Sequence, residues 1–275
     1  MRAAASATDR SDLYWRMEGQ GPLLLIVQSG DGDADRTNDL VQHLKATFTT
    51  IVYDRRGLSR SWCDRPAISP EDHAHDLHVL LAGVTSEPVL LLGCSLGALY
   101  GLHLAAAHPE QVSCVVAHDP ATLGLLPTAD RQGILGILDD VCEKYRIAGV
   151  LPAMKAIAAA TGIEPGQETE PGVSIPRFTD DRMPNLQSFL ARDIPGLRNS
   201  TLAAGHIRRA MAGGVRIVPA AGQHSRKAWN YGCAEALAQL VSAPLETFPG
   251  GHNGNTTHPD AFSQKLTAVL AQSMP

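Results

Sequence analysis

The stretch Val89-Leu90-Leu91-Leu92-Gly93-Cys94-Ser95-Leu96-Gly97-Ala98 constrains this chain more than any other. Four apolar residues in a row suit a strand buried on both faces of a parallel sheet. They run into Gly-x-Ser-x-Gly and then into Leu96 to His108, a helix-like segment. Gly97, Ala98, Gly101, Ala105, Ala106 and Ala107 give that segment small side chains, which allow close packing on a sheet. Strand, tight turn and helix in this order lift a serine hydroxyl above the sheet edge, so Ser95 is the candidate nucleophile. A pentapeptide of such common residues means little alone, and its surroundings carry the case.

The rest of the chain repeats the alternation. Residues 12 to 18 read as an edge strand, and Leu23 to Val27 as a buried strand ending in the polar, glycine-rich loop Gln28 to Asp33. A helix over Asn38 to Thr47 and a β-branched strand over Thr49 to Tyr53 follow. Asp54-Arg55-Arg56-Gly57-Leu58-Ser59-Arg60-Ser61 reads as a solvated, salt-bridged turn in which Asp54 and Arg55 hold the loop. Ser69-Pro70-Glu71-Asp72 carries an N-cap, a proline at the first helical position and a capping-box acid. The helix it starts carries Leu77, Leu80, Leu81 and Val84 inward, and His73, His75 and His78 are expected to face solvent. Val112 to Ala117 is a further buried strand, and 215 to 218, 245 to 248 and Pro259 to Ser273 give two more strands and a closing helix. Alternation of this kind predicts an α/β fold with a doubly wound, mostly parallel sheet.

Between Leu123 and Gly213 the pattern changes to helical apolar spacing broken by frequent proline and glycine. Residues 123–213 are therefore expected to form an inserted helical cap, flexible near 164 to 176, and 1–122 with 214–275 the core domain. Met154, Met183 and Phe189 are the cap residues placed to line a pocket, although apolar cap residues more often pack. With 275 residues and 44% hydrophobic content, one sizeable core is affordable. A formal charge of −5 argues against nucleic acid and anionic membrane as partners and for a small, apolar ligand. The five cysteines form no C-x-x-C pair, the histidines have no ligand-like spacing, and neither a metal nor an organic cofactor is expected. Met1 to Ser6 lacks the apolar run of a signal peptide and no stretch approaches a bilayer span, so a cytoplasmic monomer or homodimer is the expectation.

A serine needs a base, and the base an acid to orient it. His252, in the glycine-rich loop Phe248-Pro249-Gly250-Gly251-His252-Asn253-Gly254 after the last strand, is the candidate base, with His118 and His224 as competitors. The acid commonly follows the strand read here at 215 to 218, yet Pro219 to Asn230 contains no carboxylate. Asp119, at the tip of the strand after the nucleophile's helix, keeps the order serine, acid, histidine and supplies one.

Tyr53-Asp-Arg-Arg-Gly-Leu-Ser-Arg-Ser61, Gly93-Cys-Ser-Leu-Gly97 and Phe248-Pro-Gly-Gly-His252 together resemble the α/β-hydrolase superfamily across essentially the whole core. Gly93-Cys-Ser95, Ala117-His-Asp-Pro120 and Pro249-Gly-Gly-His252 with His258-Pro-Asp-Ala-Phe262 more narrowly resemble the zearalenone-hydrolase-like lactonases and their bacterial relatives. That resemblance implies an acid at Asp119, where the lactonases usually have glutamate. It also implies oxyanion donors at the amides of Gly30 or Asp31 and of Leu96. The implied activity is hydrolysis of an ester or lactone of a small apolar molecule through an acyl-enzyme. A cofactor-free lyase, cyclase or oxygenase, or a ligand receptor, are the other readings the same scaffold admits. The cap matches the lactonases little, so their substrate does not carry over.

Overall fold

The computed structural model describes residues 13–30, 32–164, 166–173 and 182–273. The strands are β1 (Trp15–Gly19), β2 (Leu23–Val27), β3 (Thr49–Tyr53), β4 (Val89–Cys94), β5 (Val112–His118), β6 (Arg216–Gly222) and β7 (Glu246–Phe248). They form one seven-stranded sheet in the order β1-β3-β2-β4-β5-β6-β7, parallel except for β1 against β3. The chain runs outward from β2 to β3, then returns past β2 to β4 and proceeds the other way. The carboxyl ends of β2 and β4, paired from Leu24↔Leu90 to Val27↔Gly93, therefore flank the point where the winding direction reverses, the place where open α/β sheets leave a crevice for ligand.

The helices are α1 (Asn38–Leu44), α2 (Pro70–Ala82), α3 (Leu96–Ala107), α4 (Thr128–Ala148), α5 (Val150–Ala160), α6 (Met183–Ser188), α7 (Ile194–Arg198), α8 (Ala204–Ala212), α9 (Trp229–Val241), α10 (Gly254–Thr257) and α11 (Pro259–Leu270). Because successive strand residues face opposite ways, β4 sends Leu91 to one core and Leu90 and Leu92 to another. The first core holds Leu77, Leu99, Leu102, Ile207 and Leu237 of α2, α3, α8 and α9; the second holds Leu40, Phe262 and Leu266 of α1 and α11. α3 is buried along its whole described length up to Ala106, and Gly101 has the reason in its geometry: a Cβ there would lie 2.6 Å from Leu91 Cδ2.

The capping box is formed as its sequence requires, with Ser69 Oγ accepting from the Asp72 amide at 3.1 Å and the Asp72 carboxylate accepting from the Ser69 amide at 2.8 Å. Three expectations need correction. β6 does not end at Val218 but continues through Pro219 to Gly222. Proline is tolerated there because β7 pairs only with Ala220 to Gly222, leaving Pro219 a neighbour on the β5 side alone. His73 is buried rather than solvent-facing, since it lies four residues before Leu77 on the packed face of α2; His75 is exposed, and the half-buried His78 ring stacks on His108 with centroids 3.6 Å apart. Finally, the Asp54–Ser61 cluster does hold its loop by salt bridges, yet Asp54, Arg55, Arg56 and Ser61 are buried. Their charges are paired: Arg56 grips Asp76 through Nε and Nη2, and Arg60 grips Asp54.

Segment 123–213 carries α4 to α8, and Phe189–Asp193 between α6 and α7 is one turn of π-helix. Phe189 is buried in the first core, Met154 packs against that core, and Met183 is half-buried. The stretch expected to be flexible, 164 to 176, lies partly outside the described residues. Its described part is tied down: the Glu170 carboxylate accepts from the Asp260 and Ala261 amides at the start of α11, and the Glu170 amide donates to Thr257 O.

Candidate active site

Ser95 sits between the last residue of β4 and the first of α3 with φ 54° and ψ −114°, a conformation that strains a non-glycine residue. Neighbours hold it there. Its amide donates to His118 O at 2.9 Å, and its carbonyl accepts from Ala98 at 3.1 Å and Ala121 at 3.2 Å. The flanking glycines serve close approach. A Cβ on Gly93 would lie 2.5 Å from Ala98 Cα, and one on Gly97 only 2.0 Å from Val27 O. The first turn of α3 thus presses against the end of β2, beside the loop at Gln28.

Asp119 follows β5 directly, also with positive φ (43°), and is fully buried. Its Oδ2 accepts from Ser225 Oγ at 2.5 Å and meets His252 Nδ1 at 3.2 Å, while Oδ1 faces the Gly222 amide at 3.3 Å. Asn230 Nδ2 fixes the Asp119 carbonyl at 3.1 Å. Burial pushes this carboxyl's pKa up, but the His118 and His252 rings and the Ser225 hydroxyl outweigh it and hold it below its ordinary value. His252 enters from the loop after β7 and is 6% exposed, as Ser95 is 7%. Among the described residues His252 is hydrogen-bonded to Asp119, and the Ser95 hydroxyl and His252 are not bonded to each other.

The competing histidines are elsewhere. His118 points to the opposite face of the sheet, edge-on to Phe248 and Phe262, and its two ring nitrogens find no partner among the described residues. Burial lowers its pKa from 6.5 to about 4. His224 is exposed on the surface.

Of the expected oxyanion donors, Leu96 is the first residue of α3, where an amide has no intrahelical partner. Gly30 follows β2 with φ 51°. Asp31 lies outside the described residues. Sequence reasoning missed three partners of this region. Ser225, 1% exposed, donates to the Asp119 oxygen that faces His252. The side chain of Gln28 bonds Thr37 and accepts from Asn255 Nδ2 at 3.5 Å, joining the loop after β2 to the loop of His252. Asp193, on the π-turn, pairs with Arg55 at 2.6 Å and with His73 at 3.1 Å. None has a local signal, since each bond spans from nine to 227 residues of chain. No group of three or more histidine, cysteine or acidic side chains able to hold a metal occurs among the described residues, and no helix among them is long and apolar enough to cross a membrane.

A carboxylate–imidazole pair and a serine on a strained turn both lie at the carboxyl edge of a parallel sheet. Residues 22–185 match the family model described as the alpha/beta hydrolase fold. The chain belongs to the α/β-hydrolase family. This α/β-hydrolase is 30% identical over 263 residues to YraK of Bacillus subtilis (strain 168), an uncharacterised hydrolase, covering 94% of this chain and 93% of that protein. It is 29% identical over 201 residues to the 2-(acetamidomethylene)succinate hydrolase of Mesorhizobium japonicum, covering 70% of this chain and 72% of that protein. Among solved structures, the enol-lactonase of Burkholderia xenovorans LB400 superposes with a TM-score of 0.69 at 18% identity, covering 95% of this chain and 97% of that one.

Proposed function

We propose that this α/β-hydrolase cleaves an ester or lactone of a small apolar molecule, with Ser95 as nucleophile, His252 as general base and Asp119 as the acid that orients it. The observation that carries the reading is the His252 Nδ1 contact with the buried Asp119 carboxylate, at the sheet edge where Ser95 is held at φ 54°. In this mechanism His252 takes the Ser95 proton as Oγ attacks the carbonyl carbon. The amides of Leu96 and Gly30 receive the oxyanion, and the leaving alcohol departs with the proton His252 carries. Water, deprotonated by the same ring, then releases the acid and restores the serine. Asp119 stays ionised throughout and holds the ring in the tautomer that accepts at Nε2. Substrate binding completes the Ser95–His252 hydrogen bond, which unliganded sites often leave open.

The apolar substrate is supported by the formal charge of −5, which disfavours anionic partners, together with the resemblance to the lactonases. Lactones are supported by the resemblance of Gly93-Cys-Ser95 and Ala117-His-Asp-Pro120 to the lactonases. The test is a panel of p-nitrophenyl esters and macrocyclic lactones, read for turnover and, by intact mass, for an acyl adduct on Ser95. An adduct that disappears in Ser95→Ala is the expected result. Turnover that survives Ser95→Ala, with no label from a fluorophosphonate, would assign the site to base-catalysed lyase chemistry instead.

A further inference from the structure

Arg55, at the end of β3, is a fully buried guanidinium whose donors are divided between two structures. Nη1 donates to Gln28 O at 3.0 Å and Nη2 to Gly30 O at 2.5 Å, so it grips the first and third residues of the loop after β2. Nη2 also donates to Asp193 Oδ2 at 2.6 Å, on the π-turn of the inserted segment. The other oxygen of Asp193 meets His73 Nε2 at 3.1 Å, and the His73 ring lies against Tyr100 of α3 with centroids 4.3 Å apart. The Arg55 side chain thus joins the loop after β2, the π-turn and Tyr100 of α3, and Asp193 extends the contact to His73 of α2.

The loop contacts go to carbonyls, and that has a steric consequence. In a trans peptide the carbonyl and the following amide point in opposite directions. Drawing Gln28 O toward Arg55 turns the Ser29 amide away from it, and with Gly30 O fixed as well the Gly30 amide lies between two held carbonyls. The same loop lies against the first turn of α3: a Cβ on Gly97 would sit 2.9 Å from Gln28 O. Hence the backbone that Arg55 orients is next to the turn that bears Ser95 and Leu96. A residue serving only as packing has no need to spend two donors on the main chain of this loop while also anchoring a distant segment. A π-turn, a local departure from helix geometry common at functional sites, supplies the carboxylate it anchors.

We propose that Arg55 is a positioning residue for hydrolysis: it holds the Gln28–Gly30 loop in the orientation that presents an amide to the oxyanion, and through Asp193 it makes that orientation depend on how the inserted segment is seated. The inference rests on the serine-hydrolase reading above and adds to it the element that sets the oxyanion loop.

The test follows phosphonylation of Ser95 by a fluorophosphonate, reading both rate and final extent by intact mass, in the wild type, Arg55→Lys and Asp193→Asn. Lysine keeps the charge opposite Asp193 but cannot grip two carbonyls. Misplacing one oxyanion donor lowers the rate of attack, so Arg55→Lys is expected to react about 10²-fold more slowly while reaching full labelling. Asp193→Asn keeps an acceptor but loses the charge, and a fall of roughly 10-fold at full extent is expected. Full extent is the discriminating readout, because partial unfolding removes reactive molecules without slowing those that remain. Variants that label at the wild-type rate overturn the proposal, whether their extent is full or reduced. Asp193→Asn carries the test alone if Arg55→Lys does not fold. A wild type in which Ser95 is not labelled at all overturns the hydrolase reading and this proposal with it.

Discussion

Asp119 combines complete burial with a lowered pKa, and the cost of keeping a dry carboxylate ionised is met by its neighbours. Ser225 donates to the oxygen that faces His252, so the serine sets both the position of the carboxylate and its charge. Asp119→Asn is expected to lower kcat on the order of 10⁴-fold, the loss seen when a triad acid no longer fixes the imidazole tautomer. Steady-state kinetics on an active ester settles it, and near-normal turnover would remove Asp119 from the mechanism. Ser225→Ala deletes a charge-assisted donor, a bond of about 1.5–3 kcal/mol. The carboxylate then holds a proton more strongly, so chemical denaturation at low pH should show its contribution to stability lost at a higher pH than in the wild type. The position of Asp119 was legible because no carboxylate stands between Pro219 and Asn230. Ser225 was not, since a serine in a polar loop gains its meaning only when β5 and β6 bring it beside Asp119 across 106 residues.

The turn from β4 into α3 and the capping box of α2 could be read directly because a few adjacent residue types mark each, Gly93-Cys-Ser-Leu-Gly97 in one and Ser69-Pro-Glu-Asp72 in the other. Two glycine substitutions separate close approach from ordinary helix propensity. Gly97→Ala puts a Cβ 2.0 Å from the Val27 carbonyl oxygen, a backbone atom that cannot swing aside. Its cost is expected to exceed the about 1–3 kcal/mol typical of overpacking, with Ser95 labelling lost. Gly136→Ala, inside α4 with nothing within 4 Å of the added carbon, is expected to stabilise by about 0.5–1 kcal/mol. Denaturant midpoints measure both. What local reading misses is burial imposed from a distance. Ala220, Ala221 and Gly222 lack the β-branched side chains that mark a strand, yet flanking strands complete their ladder. Arg55 and Asp54 look solvated in a run of charges, but a partner 138 residues away for one and a close arginine clamp for the other let them be buried.

Stability of the whole molecule should decline on the acid side in two stages. His118 has a folded pKa of about 4 against 6.5 when free, so the unfolded chain binds the extra proton between those values. Stability therefore falls as pH drops from about 6.5 to about 4, by about 3 kcal/mol in all, and this loss is absent above pH 6.5. Asp119 and Asp193 have folded values below their ordinary 3.8, in Asp193 because Arg55 and His73 outweigh the effect of burial. Their contribution is intact above that value and is lost as pH falls through the lower folded one, a second stage beneath the first. Chemical denaturation at a series of pH values should show His118→Leu flattening the upper stage and, since the His118 ring helps hold Asp119 low, starting the lower stage at higher pH; an unchanged slope in the upper stage would mean that another group governs it.

Ser95 and Asp119 follow neighbouring strands whose last paired residues are Cys94 and His118. Both are made before the excursion of 123–213 begins, and they share one β-α-β unit. A nascent chain can thus set the spacing of these two groups before the excursion has been synthesised, and His252, Ser225 and Asn230 arrive from beyond it. The spacing of the two groups thus belongs to one local unit, while the partners that hold the carboxylate reach it from the far side of the excursion.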